Sequence, residues 1–447
     1  MASAAEQLAA NFNFGAFNKA TELKKRLWFV LGALVVYRLG TYIPLPGINS
    51  VALADLFSRQ SGGILGQFDM FAGGALSRMS IFALNVMPYI SASIIMQLMT
   101  SVVPSIEELK KEGETGRKKI NQYTRYLTVV LATVQGYGIA VGLESSGSVV
   151  INPGLFFEVS TVITVVGGTM FLMWLGEQIT QRGIGNGISL IIFSGIVANL
   201  PSALATTFEL GRTNVLPTLL IVVLLVMSVA VIAFIVFVER AQRRIVVQYP
   251  KRQVGNRMFG GESSHMPLKL NTAGVIPPIF ASSLLLMPAT FAGFGGAASD
   301  GSGNSILFWI TSHLGRGQPG YLLVYVSLIV FFAFFYTAIV FNPGDTADNL
   351  KKHGGFVPGI RPGKNTADYL DFVLTRLTVV GAGYLAAVCI LPEILISQYN
   401  VPFYFGGTSL LIVVSVTMDT VGQVHAHMLA HQYEGLIKKS KLRGRRG

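Results

Sequence analysis

Long apolar runs separated by shorter polar connections account for most of the chain. Each run is close to or above the roughly 20 residues that an α-helix needs to cross the hydrocarbon core of a bilayer. Prolines inside the runs, such as Pro88, Pro277 and Pro278, are compatible with transmembrane helices because neighbouring helices satisfy the freed backbone groups. The pattern therefore predicts an all-α polytopic membrane protein with ten transmembrane helices. The predicted spans are residues 24–43, 76–103, 121–143, 155–178, 187–205, 215–238, 272–293, 319–341, 372–392 and 403–424.

Composition supports this prediction and argues against a soluble enzyme. Hydrophobic residues make up 51% of the 447 residues and charged residues only 13%. The charged fraction of a typical soluble domain is about 25%. A chain of this kind cannot hide its apolar residues in one water-soluble core.

The basic residues are distributed unevenly between alternate connections. With the N-terminus in the cytoplasm, 29 of the 34 lysines and arginines lie on the cytoplasmic side and 5 on the other. Short cytoplasmic connections carry such an excess, so both chain ends are predicted to be cytoplasmic. Adding or removing one span would mix the two groups. The five predicted to lie outside are Arg38, Arg59, Arg78, Arg212 and Arg316.

Ten spans divide into two halves of five, which must then have opposite orientations in the membrane. Inverted halves of this kind usually enclose a central pathway. The predicted division is a cytoplasmic segment 1–23, a first half 24–205, a second half 206–424 and a basic cytoplasmic tail 425–447.

The centres of the spans carry no charged residues. Glu177, Glu239, Arg376, Glu393 and Asp419 all fall near span ends, where they can reach water or headgroups. An ion-coupled carrier normally needs ionisable groups at the membrane centre. The sequence therefore favours a pore closed by apolar side chains, with an inverted-repeat solute transporter as the alternative.

A short apolar segment between the first two spans is about half the length needed to cross the membrane. We interpret it as a re-entrant half-helix that closes the pathway, because such backbone survives at membrane depth only inside protein or along a cavity. An external amphipathic loop is the alternative. The segment consists of Gly62, Gly63, Ile64, Leu65, Gly66, Gln67, Phe68, Asp69, Met70, Phe71, Ala72, Gly73 and Gly74.

Two cytoplasmic connections, residues 239–271 and 342–371, are long and basic. Glycine and proline punctuation and the aromatic residues Tyr249 and Phe259 indicate that they hold a defined shape. Such surfaces suit ribosomal RNA or an acidic protein face. The alternative is that their charges serve only to set the topology.

Enzyme and cofactor motifs fail on their chemistry. The stretch RPGKNT at 361–366 has too short a glycine spacing for a phosphate loop, and GIGNG at 183–187 follows no strand. His425, His427 and His431 include one i, i+4 pair, but no acid or thiol completes a metal site. We predict no enzyme activity, no cofactor and no metal.

Several longer motifs make the sequence similar, over nearly its whole length, to the SecY family of channel subunits of the bacterial Sec protein translocase. These motifs are FDMFAGGALSR (68–78), MPYISASIIMQL (87–98), KKEGETGRKKINQYTRY (110–126), GEQITQRGIGNGISLIIFSGI (176–196), AGVIPPIFASS (273–283) and GFVPGIRPGK (355–364).

The resemblance implies a protein-conducting channel in the bacterial cytoplasmic membrane. Such a channel translocates unfolded polypeptides and releases transmembrane segments laterally into lipid, through a gate formed chiefly by spans two and seven. Expected partners are the small membrane subunits SecE and SecG, the motor ATPase SecA, the ribosome, signal sequences and membrane lipid. The segment 62–74 is expected to be the plug.

The resemblance also implies roles for individual side chains. Arg361, Arg244 and Arg252 match cytoplasmic positions that contact the motor or the ribosome. Two features depart from the family pattern. Val86 stands where a bulkier isoleucine is expected, and residues 425–431 are histidine-rich where the family pattern is mostly glutamine and serine. The expected pore ring is Val86, Ile90, Ile192, Ile196, Ile279 and Ile412.

Overall fold

The computed structural model describes most of the chain. The described residues are 21–60, 69–145, 149–213, 217–249, 252–254, 257–259, 263–295, 318–399 and 407–443. They are mainly helical. The helices are α1 (Thr21–Gly40), α2 (Ser50–Gln60), α3 (Met87–Val102), α4 (Pro104–Lys111), α5 (Glu114–Ser145), α6 (Leu155–Arg182), α7 (Gly187–Arg212), α8 (Thr218–Arg240), α9 (Ile276–Gly295), α10 (Pro319–Val340), α11 (Pro343–Lys352), α12 (Lys364–Tyr399) and α13 (Gly407–Arg443).

Each predicted span overlaps one of these helices, which confirms the all-α fold class. In the described part of the chain, seven helices are long and apolar enough to cross a membrane, or eight if α3 and α4, bent by 96°, form one span. The N-terminal end of α1 carries Lys24 and Lys25, and the described apolar part of α9 is short, Ile276–Leu285. The count of ten crossings stays a prediction.

The second predicted span differs most from its helix. The apolar run begins at residue 76, whereas α3 begins at Met87 after a series of turns. Phe82 in this turn region is buried and stacks between Tyr37 of α1 and Phe171 of α6, with ring centroids 6.2 and 5.9 Å away. The run is apolar because it is surrounded by protein, and hydrophobicity alone cannot distinguish such a segment from a spanning helix.

The chain forms two compact units. The first comprises residues 1–201, 293–300 and 416–447, and the second comprises 202–292 and 301–415. In the first unit, α3 packs on α5, α5 packs on α6, and α1 packs on α6. In the second, α10 and α11 both pack on α12.

The connection 239–271 contains two antiparallel strand pairs. β1 (Gln242–Gln248) pairs with β4 (Ser263–Lys269), so that Ile245 lies opposite Met266. β2 (Arg252–Val254) pairs with β3 (Arg257–Phe259). The described parts of this connection therefore hold a defined shape, as the sequence predicts.

Candidate functional site

The described end of the predicted plug, residues 69–74, is called the plug end and leads into a buried turn. Residues 69–71 are helical, and the backbone then turns at Gly73 and Gly74, whose φ angles are 68° and 80°. These left-handed angles favour glycine, which explains the glycine pair. Residues 62–68, the rest of the predicted plug, lie outside the described residues.

A carboxylate closes this turn. Asp69 Oδ1 accepts hydrogen bonds from the backbone N–H groups of Leu76 (3.0 Å) and Ser77 (2.8 Å). The pKa of the Asp69 carboxyl is raised, because the effect of burial outweighs the lowering by these hydrogen bonds and by the charge of Arg78. The carboxylate thus fixes the plug end to the turn region before α3.

Three side chains bind three successive backbone carbonyls of the plug end. Asn85 Nδ2 donates to the carbonyl of Phe71 over 2.6 Å. The Tyr37 hydroxyl donates to the next carbonyl, that of Ala72, over 3.3 Å. Arg38 Nη1 donates to the carbonyl of Gly73 over 2.7 Å. The donors come from α1 and from the residues just before α3.

A glycine on α7 allows the plug end to approach that helix closely. A Cβ atom built at Gly195 would lie 2.8 Å from the Phe71 carbonyl oxygen and 3.1 Å from the Tyr37 hydroxyl. A Cβ built at Gly73 would lie 2.9 Å from the Gly195 Cα. Only a residue without a side chain fits at this contact on α7.

Four of the six predicted pore-ring residues belong to the first unit, close to this plug end. Val86 and Ile90 lie at the start of α3, and Ile192 and Ile196 lie one turn apart on α7; all four are buried. Val86 directly follows Asn85, and Ile196 directly follows Gly195. The structure therefore brings the plug end beside two predicted ring positions.

The other two predicted ring residues belong to the second unit. Ile279 lies in the first turn of α9 and is 8% exposed, and Ile412 lies on α13 and is 0% exposed. Both are aliphatic and buried, which suits a constriction but is equally compatible with helix packing. The ring assignment stays a prediction.

Of the five charged residues near the span ends, Glu177 and Glu239 accept hydrogen bonds from side chains on neighbouring segments of their units. Arg125 of α5 contacts Glu177 of α6 through two hydrogen bonds of 2.6 and 3.2 Å. In the second unit, Asn271 Nδ2 donates to Glu239 over 2.7 Å. Glu393 differs from the expectation of solvent access, because it is only 6% exposed.

The two long connections, 239–271 and 342–371, fold against each other. Gln248 at the end of β1 and Phe356 exchange two backbone hydrogen bonds of 2.9 Å. Beneath this contact is an apolar cluster from both connections and α12, so the connections form one continuous element of the second unit. Its buried members are Ile245, Leu268, Val357, Leu370 and Val373.

The predicted docking arginines lie on this element. Arg244 is exposed on β1 opposite Pro267, and Arg361 is exposed in the turn before α12. The backbone of Arg252 pairs with Phe259, while its side chain lies outside the described residues. The structure shows two of the three as accessible but does not test their role.

The described residues contain no group of three or more histidine, cysteine or acidic side chains that could hold a metal ion. His425 and His427 lie on α13, as does His431, whose side chain is outside the described residues.

Sequence reasoning missed the residues that hold the plug end: Tyr37, Arg38, Asn85 and Gly195. Partial signals were present. Arg38 is one of the few basic residues predicted on the outer side, and Asn85 is a polar residue within an apolar run. The contact partners are backbone carbonyls, which leave no trace in the sequence, so their pairing could not be predicted.

The fold and the buried aliphatic residues define a polytopic α-helical membrane protein. A sequence model of the SecY family matches residues 80–421. Protein translocase subunit SecY of Escherichia coli (strain K12) is 58% identical over 427 residues, covering 95% of this chain and 96% of that protein. The same subunit of Rickettsia conorii (strain ATCC VR-613 / Malish 7) is 56% identical over 426 residues, covering 94% and 97%. The chain belongs to the SecY family.

Solved structures share the fold. "The structure of a protein conducting channel" matches with a TM-score of 0.67, 17% identity and coverage of 91% of this chain and 92% of that chain. A structure described as showing that the SecY plug domain stabilises the closed state matches with a TM-score of 0.66, 18% identity and coverage of 91% and 92%. A channel in a canine ribosome-channel complex matches with a TM-score of 0.63, 17% identity and coverage of 91% and 92%.

Proposed function

We propose that this chain is the channel subunit of a bacterial protein translocase, which conducts unfolded polypeptides across the membrane and releases transmembrane segments laterally into lipid. One observation carries the proposal within the structure. The end of the short apolar segment contacts Asn85 and Gly195, which directly precede Val86 and Ile196, two of the aliphatic residues expected to line the pathway. Membership of the SecY family supports the same function and does not favour the solute-carrier alternative.

The proposed pore closes by excluding water. Aliphatic side chains at a narrow constriction make that zone unfavourable for water and ions. They also offer a passing polypeptide no specific hydrogen bond, so the constriction does not select among sequences. In the resting state the plug, residues 62–74, adds a second barrier.

Energy for transport comes from partners, because the sequence offers no nucleotide-binding motif. The motor ATPase SecA and the ribosome are the proposed cytoplasmic partners, and SecE and SecG are the proposed small membrane subunits. The similarity to a channel whose structure was solved in a canine ribosome-channel complex supports the ribosome as a partner. The element formed by the two long connections, with Arg244, Arg252 and Arg361, is the proposed docking surface.

The proposed location is the bacterial cytoplasmic membrane, with both chain ends in the cytoplasm. The charge asymmetry of the connections supports this orientation. Signal sequences of secreted proteins and lipid would meet the channel at its lateral gate.

Cross-linking to a translocating chain tests the proposal. The variant Ile192→Cys is made in a Cys389→Ala background, since Cys389 is the single native cysteine. The full-length protein is reconstituted into vesicles with its motor and with a secretory precursor that is arrested halfway and carries a mid-chain cysteine. We expect a disulfide between Ile192→Cys and the arrested precursor.

The matched control is Ile163→Cys on α6, which is 67% exposed on the surface of the helix. It should cross-link to lipid probes and not to the arrested precursor. Cross-linking of the precursor at Ile163→Cys, without cross-linking at Ile192→Cys, would mean that these aliphatic residues line no pathway.

A further inference from the structure

Side chains from outside the plug bind the turn that ends it at its backbone carbonyls. The carbonyls of Phe71, Ala72 and Gly73 each accept one hydrogen bond from a side chain elsewhere in the first unit. Backbone carbonyls are present whatever the plug sequence. These three hydrogen bonds therefore depend on the backbone conformation of the turn and not on the identity of its side chains. Its donors are three different chemical groups, an amide, a phenol and a guanidinium.

The surroundings of Arg38 fix its guanidinium in place. While Arg38 Nη1 donates to Gly73, Nη2 donates to the Tyr42 hydroxyl over 3.1 Å, and the guanidinium carbon lies 5.0 Å from the Tyr42 ring centroid. The Arg78 guanidinium carbon lies 4.2 Å from the same ring centroid. Tyr42 therefore supports two guanidinium groups next to the plug end.

Asn85 connects the plug end to the helix that follows. Its φ angle of 50° lies in the left-handed region, which asparagine tolerates better than most residues. Its side chain is 1% exposed, and its Oδ1 accepts no hydrogen bond from the described residues. This amide therefore acts here as a donor, through Nδ2 to the Phe71 carbonyl. Val86 and the start of α3 follow directly.

We propose that Tyr37, Arg38 and Asn85 are positioning residues that form a latch, a set of three donors holding the plug end by its backbone in the closed channel. The proposal rests on the assignment of 62–74 as the plug. Because Asn85 adjoins Val86 at the start of α3, movement of α3 would pull the Asn85 amide away from Phe71. Opening at α3 and release of the plug are then one coupled event.

Two variants remove latch hydrogen bonds with little other change. Tyr37→Phe deletes only the hydroxyl, and Asn85→Gly deletes the amide while keeping a residue suited to the left-handed backbone. Loss of one such hydrogen bond should raise the population with a displaced plug about fivefold, and the double variant should raise it about 30-fold.

Two measurements on the full-length protein follow plug displacement. The first is the ion conductance of resting channels in planar bilayers. The second is the labelling rate of Met70→Cys in a Cys389→Ala background, because Met70 is buried at the plug end. A rise in both, with unchanged thermal stability, is the expected result.

The matched control is Tyr384→Phe in the second unit. Tyr384 is buried, and its hydroxyl has no hydrogen-bond partner among the described residues. Conductance should stay at the level of the unmodified protein. An equal increase in this control would show a general effect of losing a buried tyrosine hydroxyl and would overturn the latch.

Deletion of residues 62–74 separates failure of the latch from failure of the plug assignment. If the deletion raises conductance while Tyr37→Phe, Asn85→Gly and their combination do not, the latch is wrong and the plug stands. If the deletion itself leaves conductance unchanged in folded protein, the plug assignment fails and the latch fails with it.

Discussion

Gly195 is the residue at which the packing of the predicted plug end against α7 depends most directly on the absence of a side chain. In Gly195→Ala the new Cβ would lie 2.8 Å from the Phe71 carbonyl oxygen, a distance shorter than real Cβ contacts. Backbone cannot rotate away as a flexible side chain can, so the plug end must shift. We expect Gly195→Ala to increase the resting ion conductance severalfold, measured in planar bilayers.

The chain offers a matched control for this substitution on the neighbouring helix. Gly167 of α6 is also a helical glycine, and a Cβ built there meets nothing within 4 Å. Gly167→Ala should leave the conductance unchanged and stabilise the helix slightly. Equal conductance for Gly195→Ala and the unmodified protein would contradict the prediction, because it would show that close packing at Gly195 is not needed to keep the resting conductance low.

A second prediction at this scale concerns the aliphatic constriction. Aspartate at both Ile192 and Ile412 would let water wet the narrow zone, because each carboxylate is strongly hydrated. The double variant should leak ions and accept weakly hydrophobic signal sequences more readily than the unmodified protein. Each single variant should do less, since the remaining side chains can still close around the gap.

Conductance and export of a reporter with a weakened signal sequence measure these two effects. Aspartate at Leu429, which is 53% exposed on α13 beyond the predicted last span, controls for an added charge. A double variant as tight as this control would remove Ile192 and Ile412 from the ring.

At the scale of elements, the described parts of the two long connections form one folded piece that carries the arginines proposed for docking. The pairing of Gln248 with Phe356 and the apolar cluster around Val357 fix the turn that contains Arg361. Thr366 adds a hydrogen bond from its hydroxyl to the Arg361 carbonyl over 3.0 Å. A side chain presented by such a turn can be changed without disturbing the spans.

Charge reversal at Arg361 tests the docking surface. Arg361→Glu should abolish most motor-driven secretion, because it turns a local attraction for an acidic partner surface into repulsion. Membrane insertion and protein level should not change. The measurement is export of a secreted reporter, with Lys352→Glu, an exposed charge reversal in the same connection, as the control. Normal export by Arg361→Glu would place motor contact elsewhere.

The sequence predicts elements well where hydrophobicity and length coincide, as for α6, α7 and α8. It fails at the second span, because the apolar residues 76–86 are buried in turns against α1 and α6 instead of forming a helix. The sequence also singles out the segment 62–74 and, through family resemblance, six aliphatic residues, whose roles stay predictions. It could not supply the latch, since hydrogen bonds to backbone carbonyls depend on tertiary packing that no local pattern encodes.

At the scale of the whole molecule, the number of membrane crossings decides on which side of the membrane each connection lies. Three predicted spans correspond to helices with an unusual feature: α1 is charged at one end, α3 is followed by a sharp bend, and the described apolar part of α9 is short. The charge distribution nevertheless requires all three, because the basic connections alternate sides only with ten crossings. If one of these helices failed to cross, every later connection would change sides.

Cysteine labelling on either side of each of these helices therefore tests the whole topology. In a Cys389→Ala background, Val51→Cys and Gln318→Cys should react with a membrane-impermeant thiol reagent added outside intact cells. Glu114→Cys and Ser264→Cys should react only after the membrane is permeabilised. All four positions are exposed, so access and not burial decides the result. Labelling of Glu114→Cys in intact cells, with Val51→Cys also labelled, would mean that α3 does not cross. Absence of labelling at Gln318→Cys, with the other three positions as expected, would mean the same for α9.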